Sequence, residues 1–160
     1  MILVCVGASE FGMDRLLKYM DELCDEKVIE GSEIVAQSGV STYVPHNYKA
    51  FSLIARDEFQ KYVKDADVII THAGTGSVIP PLKLGKKVIV FPRREKYHEH
   101  IDDHQLELAD VFTSGGYTLC ATTKEELQEC IDKCATFIPK KFVSVKGNID
   151  RLIIDFLEKK

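Results

Sequence analysis

The greatest chemical potential in this sequence lies in one short run, Thr71-His72-Ala73-Gly74-Thr75-Gly76-Ser77. Small residues let a ligand approach the backbone, and a helix beginning here leaves its first N–H groups without acceptors. That combination suits a phosphate. A diphosphate would take the amides of Gly74, Thr75, Gly76 and Ser77 and the hydroxyls of Thr75 and Ser77, with the helix dipole adding about 0.3–1 kcal/mol. A carboxylate placed at Gly74 is then expected to abolish binding. The same glycines also serve a plain strand-to-helix turn that holds no ligand.

Further along, His98, His100 and His104 fall close together, a spacing compatible with zinc, although no HExxH motif or nearby thiol accompanies them. Hydrogen bonding at a loop or helix start is the simpler use of such histidines, and no metal is assigned. Gln105 lies along the line of Ile101, Leu108 and Phe112, so its amide needs either a polar ligand or backbone at a sheet end. Arg93 follows Pro92 at the end of an apolar run, where its guanidinium could reach a ligand crevice and counter charge on a leaving phosphate.

The chain has 160 residues, enough for a single domain over 1–160. Its 21 Lys+Arg against 25 Asp+Glu give a formal charge of -4, which argues against a nucleic-acid binder. The loop Gly7-Ala8-Ser9-Glu10-Phe11-Gly12 lacks GxGxxG, and neither GxxxxGK[ST] nor a GxSxG elbow occurs, so NAD enzymes, P-loop NTPases and serine hydrolases are disfavoured. The apolar runs are strand-sized and the N-terminus carries no basic leader, so a cytoplasmic protein is expected. Five cysteines without CxxC read as reduced thiols.

The elements that must position these residues alternate between strand and helix. Strands are expected at 1–6, 34–36, 51–54, 68–70, 88–91 and 117–120. Helices are expected through Met13, Leu16, Leu17, Met20 and Leu23, over 57–64, after Ser77, through Ile101 to Phe112, from Thr122 or Thr123 to about Phe137, and over about 147–158. Pro80 and Pro81 are expected in a first helical turn. Apolar strands alternating with helices indicate a Rossmann-like α/β three-layer sandwich around a parallel sheet. Loops at the carboxyl ends of the strands, at 7–12, 37–43, 72–77 and 92–104, should converge on one crevice.

Taken together, Val6-Gly7-Ala8-Ser9-Glu10 with Arg15, Gln37-Ser38-Gly39, the 71–77 run, Pro92-Arg93, and His100 through Asp103-His104-Gln105 to Ala109-Asp110 resemble the C-terminal, donor-binding half of family 28 glycosyltransferases. The similarity is to stand-alone versions, both the catalytic subunit of a two-part transferase acting on a lipid-linked oligosaccharide and bacterial exopolysaccharide and capsule subunits. It implies one half of a GT-B architecture and an inverting hexosyltransferase. The UDP-sugar is a substrate, and no cofactor or bound metal is needed. By this resemblance Gly74, Thr75, Gly76 and Ser77 hold the diphosphate, His104 and Gln105 face the sugar or ribose, and Gly7, Ser9 and Gly39 shape the opposite wall. His72 and Arg93 are the catalytic candidates, His72 acting by positioning substrate or by orienting its loop. Pro80 stands where many relatives carry an acidic or amide residue.

The resemblance also implies a membrane-associated partner subunit that binds a lipid-linked acceptor and holds this chain at the cytoplasmic membrane face, with the helix at about 147–158 as a candidate docking element. A non-catalytic nucleotide-sugar-binding or regulatory subunit is the competing expectation.

Overall fold

The computed structural model describes residues 1–143. The docking helix expected at about 147–158 lies outside them. Six strands, β1 (Ile2–Cys5), β2 (Ile34–Gln37), β3 (Lys49–Phe51), β4 (Val68–Thr71), β5 (Lys87–Val90) and β6 (Leu119–Cys120), form one sheet in the order β3-β2-β1-β4-β5-β6. Every pairing is parallel. Strand order reverses between β1 and β4, the switch point at which adjacent loops part and open a crevice.

Five helices cover the sheet: α1 (Asp14–Asp25), α2 (Arg56–Asp65), α3 (Thr75–Lys83), α4 (His104–Ser114) and α5 (Lys124–Lys133). The two faces follow from strand alternation. Val4, Ile34, Ala36, Ile70 and Ile89 pack on α1 and α5, whereas Leu3 and Ile69 meet Val63 of α2, and Val88 and Val90 meet α3 and α4. The helical stripe Met13, Leu16, Leu17, Met20 and Leu23 is 0% exposed throughout. Each of those side chains contributes roughly 1.5–3 kcal/mol by leaving water.

Three departures from sequence expectation have physical causes. β3 ends at Phe51, because its ladder with β2 runs only from Val35↔Lys49 to Gln37↔Phe51. Pro80 and Pro81 lie in the middle of α3 and not in its first turn. They withhold the N–H groups that would bond the carbonyls four residues earlier, at Gly76 and Ser77. Ile101 is 72% exposed and precedes α4, whose buried face begins at Gln105 and continues through Leu108, Ala109 and Phe112. At α5, Thr123 Oγ1 accepts from Glu126 N at 3.2 Å while Thr122 N donates to Glu126 Oε2 at 2.7 Å, a reciprocal cap. The five cysteines are free thiols; Cys5, Cys130 and Cys134 are buried, and Cys24 and Cys120 are half-buried.

No helix joins β2 to β3, so the connection needs another anchor. Buried Asp21 on α1 supplies it by accepting from Tyr43 Oη at 2.8 Å, His46 N at 2.9 Å and Asn47 N at 3.0 Å. Burial alone would raise the Asp21 pKa, yet these donors hold it below its ordinary value.

Candidate functional site

A cavity of about 320 Å³ opens at the switch point, between the carboxyl ends of β1 and β4 and the helices α2 and α3. Leu3, Phe59, Val63 and Ile69 form its apolar floor, while Gly7, Gln37, Arg56, Gly76 and Ser77 stand among the residues around them. The first turn of α3 borders it. Gly74 is the N-cap of this helix and offers no side-chain cap. The amides of Thr75 and Gly76 therefore have no intrahelical acceptor, which is the condition for an anion site.

The two glycines of this turn do different work. A Cβ at Gly76 would meet nothing within 4 Å, so that position faces open space. A Cβ at Gly74 would lie 2.3 Å from His72 Cε1, so that position faces the imidazole. The expectation for a carboxylate at Gly74 is thus corrected: substitution there collides with His72 before it reaches any ligand. Gly7 has φ 84 and would place a Cβ 2.6 Å from His72 Nε2. The absence of side chains at positions 7 and 74 creates the slot in which the ring sits.

Both nitrogens of that ring are engaged. Gly74 N donates to Nδ1 at 3.1 Å, and the Gln105 amide Nε2 lies 3.2 Å from the same atom. Nδ1 therefore carries the lone pair and Nε2 the proton, which is directed to Ser77 Oγ at 2.9 Å. This leaves the Ser77 hydroxyl hydrogen for a ligand. Burial first, and the Arg93 charge second, push the His72 pKa down to about 4. The ring is neutral at pH 7 and holds Ser77 and the loop in place.

A stability signature follows. The unfolded chain takes a proton on His72 near pH 6.5, whereas the folded chain resists it until about pH 4. This contribution is complete above about pH 6.5 and declines as pH falls through that window, by roughly 2 kcal/mol near pH 4.5. Urea unfolding of wild type and His72→Gln near pH 7 and near pH 4.5 tests this: the variant should lose less stability on acidification. Equal losses would show that His72 does not titrate in this way.

Gln105 is 4% exposed and serves backbone at the sheet end: its Oε1 accepts from Ala73 N at 3.2 Å and Arg93 N at 3.1 Å. It locks the loop after β4 to the loop after β5 and does not reach the crevice. Arg93 also differs from expectation. It is 1% exposed, and its guanidinium donates to the carbonyls of Phe11 at 2.9 Å, Gly12 at 3.2 Å, Glu99 at 2.9 Å, and Val6. A planar fork buried among carbonyl oxygens cannot also face a leaving phosphate, so the expected crevice role is corrected to the binding together of three segments. Arg15 braces the same region between the rings of Phe91 and Tyr97, pairing with Glu99 through Nε at 3.0 Å and Nη2 at 2.8 Å.

The remaining expected site residues divide. Gly7, Gly76 and Ser77 line the cavity, and Thr75 begins the helix that borders it. Gly39 has φ 56 and lies against Gly7, where a Cβ would meet Gly7 O at 2.6 Å. Ser9 closes a local turn, its Oγ accepting from Phe11 N at 3.2 Å, and Ala8 lines the cavity in its place. His104 stands at the start of α4, bonded through Nδ1 to Asp102 Oδ1, which also meets His100 Nδ1 at 3.1 Å. Ligand atoms of His100, Asp102 and His104 lie within 4.8 Å of one another and are the described residues that could hold a metal ion; Asp102 takes the place expected for His98. Gln37 and Arg56 were not among the sequence candidates as individual binding residues. A basic residue opening the helix after β3 was the available signal for Arg56.

The family model described as Glycosyltransferase family 28 C-terminal domain matches residues 1–152. The protein named UDP-N-acetylglucosamine transferase subunit ALG13 from Debaryomyces hansenii is 28% identical over 123 residues, covering 75% of this chain and 56% of that protein. Its namesake from Saccharomyces cerevisiae is 34% identical over 101 residues, covering 61% and 48%. The chain spans about half the length of these relatives. Among solved structures, an NMR solution structure of ALG13 matches with a TM-score of 0.66 at 22% identity, covering 98% of this chain and 96% of that one. The calicheamicin glycosyltransferase CalG4 matches at 0.58 and 16% identity, covering 84% of this chain and 34% of that one. Such low identities speak for the fold, a Rossmann-like sandwich of the kind that makes one half of a GT-B glycosyltransferase.

Proposed function

From the premise that this chain belongs to the glycosyltransferase family 28 C-terminal domain family, we propose that it is the donor-binding subunit of an inverting, UDP-sugar-dependent hexosyltransferase. The reading rests on one observation above all: the uncapped first turn of α3 presents Gly76 and Ser77 to an open cavity at the switch point of the sheet. The diphosphate lies against the Thr75 and Gly76 amides and takes the Ser77 hydroxyl hydrogen, the uridine enters the cavity, and the sugar extends toward His104. Gly7 and Gly39 form the far wall.

In the transfer step an acceptor oxygen attacks the anomeric carbon from the face opposite the diphosphate. The bond from that carbon to the β-phosphate oxygen breaks, and the acceptor proton passes to a general base. Helix-start amides, the α3 dipole and Ser77 hold the charge that grows on leaving UDP, so no cofactor or metal is required. The cavity wall contains no Asp or Glu, and neither nitrogen of His72 is free, so the base is neither His72 nor a residue of that wall. We assign acceptor binding to a membrane-associated partner subunit that presents a lipid-linked acceptor at the cytoplasmic membrane face. The word subunit in the relatives' names supports a partner. No helix among the described residues is long and apolar enough to cross a membrane, which fits peripheral association.

The test is calorimetric titration with UDP, UDP-N-acetylglucosamine, UDP-glucose, UDP-galactose and UDP-glucuronate in the presence of EDTA. Saturable binding of UDP and of one sugar nucleotide in preference to the others is expected, with UDP-N-acetylglucosamine first because the relatives are named for it. Failure of the folded protein to bind UDP would overturn the assignment. Radiolabelled sugar transfer to a lipid acceptor, with the partner supplied, separates the catalytic from the regulatory reading. A regulatory subunit would leave transfer intact when its own donor site is blocked.

A further inference from the structure

Arg93 is committed to carbonyl oxygens, so a diphosphate on α3 would meet amides and one hydroxyl but no full positive charge from that residue. Arg56 is the one charged side chain among the residues that line the 320 Å³ cavity. It is the first residue of α2, is exposed to solvent, and among the described residues has neither a hydrogen bond nor an ion pair. A guanidinium left unpaired beside a cavity that also borders a helix N-terminus is suited to an anion.

A second, independent feature points the same way. Gln37, the last residue of β2, is 8% exposed and lines the same cavity. Its Oε1 accepts from Cys5 Sγ at 3.4 Å, while its Nε2 has no partner among the described residues. The residue is held in place by burial while its amide N–H group remains open to the cavity, where an acceptor on a ligand can replace water. The cavity therefore presents unused N–H donors from two elements and no carboxylate, a pattern that selects an acceptor-rich, anionic guest.

We infer that Arg56 and Gln37 form a donor clamp for the nucleotide, Arg56 pairing with phosphate oxygens and Gln37 with a neutral oxygen of the nucleoside. The inference rests on the donor-binding reading above and supplies it with the countercharge that Arg93 does not provide. Its chemistry separates the two roles, because uridine carries the neutral acceptors without the phosphates.

Calorimetry of this chain with UDP and with uridine, for wild type, Arg56→Gln and Gln37→Met, is the experiment. Arg56→Gln should weaken UDP about tenfold or more, the effect of losing one charge-assisted hydrogen bond, and leave uridine within about twofold. Gln37→Met should weaken both ligands by a similar factor. Thermal melts report folding; should Gln37→Met fail to fold, Gln37→Glu keeps the side-chain shape and removes the donor, and its uridine affinity alone gives the reading, because the added carboxylate also repels the phosphates of UDP. Wild-type affinity for UDP in Arg56→Gln would overturn the Arg56 role while leaving the donor assignment standing. Unchanged uridine affinity in the Gln37 variants would remove Gln37 from the clamp. Absence of UDP binding by wild type would instead defeat the donor assignment, and the clamp with it.

Discussion

Gly76→Asp is expected to abolish UDP binding without unfolding the protein. The backbone at Gly76 lies outside the positive-φ region, and a Cβ there would meet nothing within 4 Å, so the side chain enters at no steric cost. The new carboxylate would stand in the first turn of α3, where the helix dipole favours it by about 0.3–1 kcal/mol. It would also occupy the place proposed for the diphosphate and repel its charge. Calorimetry should show at least a hundredfold loss of UDP affinity, about 2.7 kcal/mol by the usual conversion. The melting temperature should stay level or rise slightly. Gly74→Asp provides the contrast, since its Cβ would lie 2.3 Å from His72 Cε1 and lower stability directly. If a folded Gly76→Asp protein bound UDP as wild type does, the first turn of α3 would not be the diphosphate site.

Arg93→Met is expected to be the most destabilising single substitution near the site. It removes the donor shared by the carbonyls of Val6, Phe11, Gly12 and Glu99, inside a region where Arg93 itself is 1% exposed. Unsatisfied buried acceptors cost about 1–3 kcal/mol each, so even with partial rehydration a total of at least about 3 kcal/mol is anticipated. For a domain of this size that corresponds to a fall in melting temperature on the order of 10 °C. Arg93→Lys should recover little, because a compact ammonium lacks the planar fork that spans several carbonyls. Thermal unfolding with and without UDP distinguishes this from a catalytic role. A variant that melted as wild type does and lost only transfer activity would place the guanidinium back in the crevice.

These two residues show where sequence reading succeeds and where it stops. The run at 71–77 was legible because a strand, small residues and a helix start follow in immediate succession, and the amides of that turn are placed by local geometry alone. Arg93 was legible as a residue at a strand end, yet its direction was not. That depended on the carbonyls of Phe11 and Gly12, which approach it only once β1 and β5 flank β4 in the sheet. Gln105 was left open between ligand and backbone, and the backbone won because the amides of Ala73 and Arg93 both arrive at its Oε1.

By itself the sequence determined the alternation of elements, the parallel character of the sheet and the helix-start loop, since each is written in neighbouring residues through periodicity and backbone freedom. Tertiary structure alone decided which glycine faces a ring and which faces open space, which arginine is spent on carbonyls and which stands free at the cavity, and which histidine nitrogen keeps the proton. Those outcomes depend on side chains brought together from strands far apart in the chain, and spacing along the chain assigns a side chain to a face without fixing the partners it meets there.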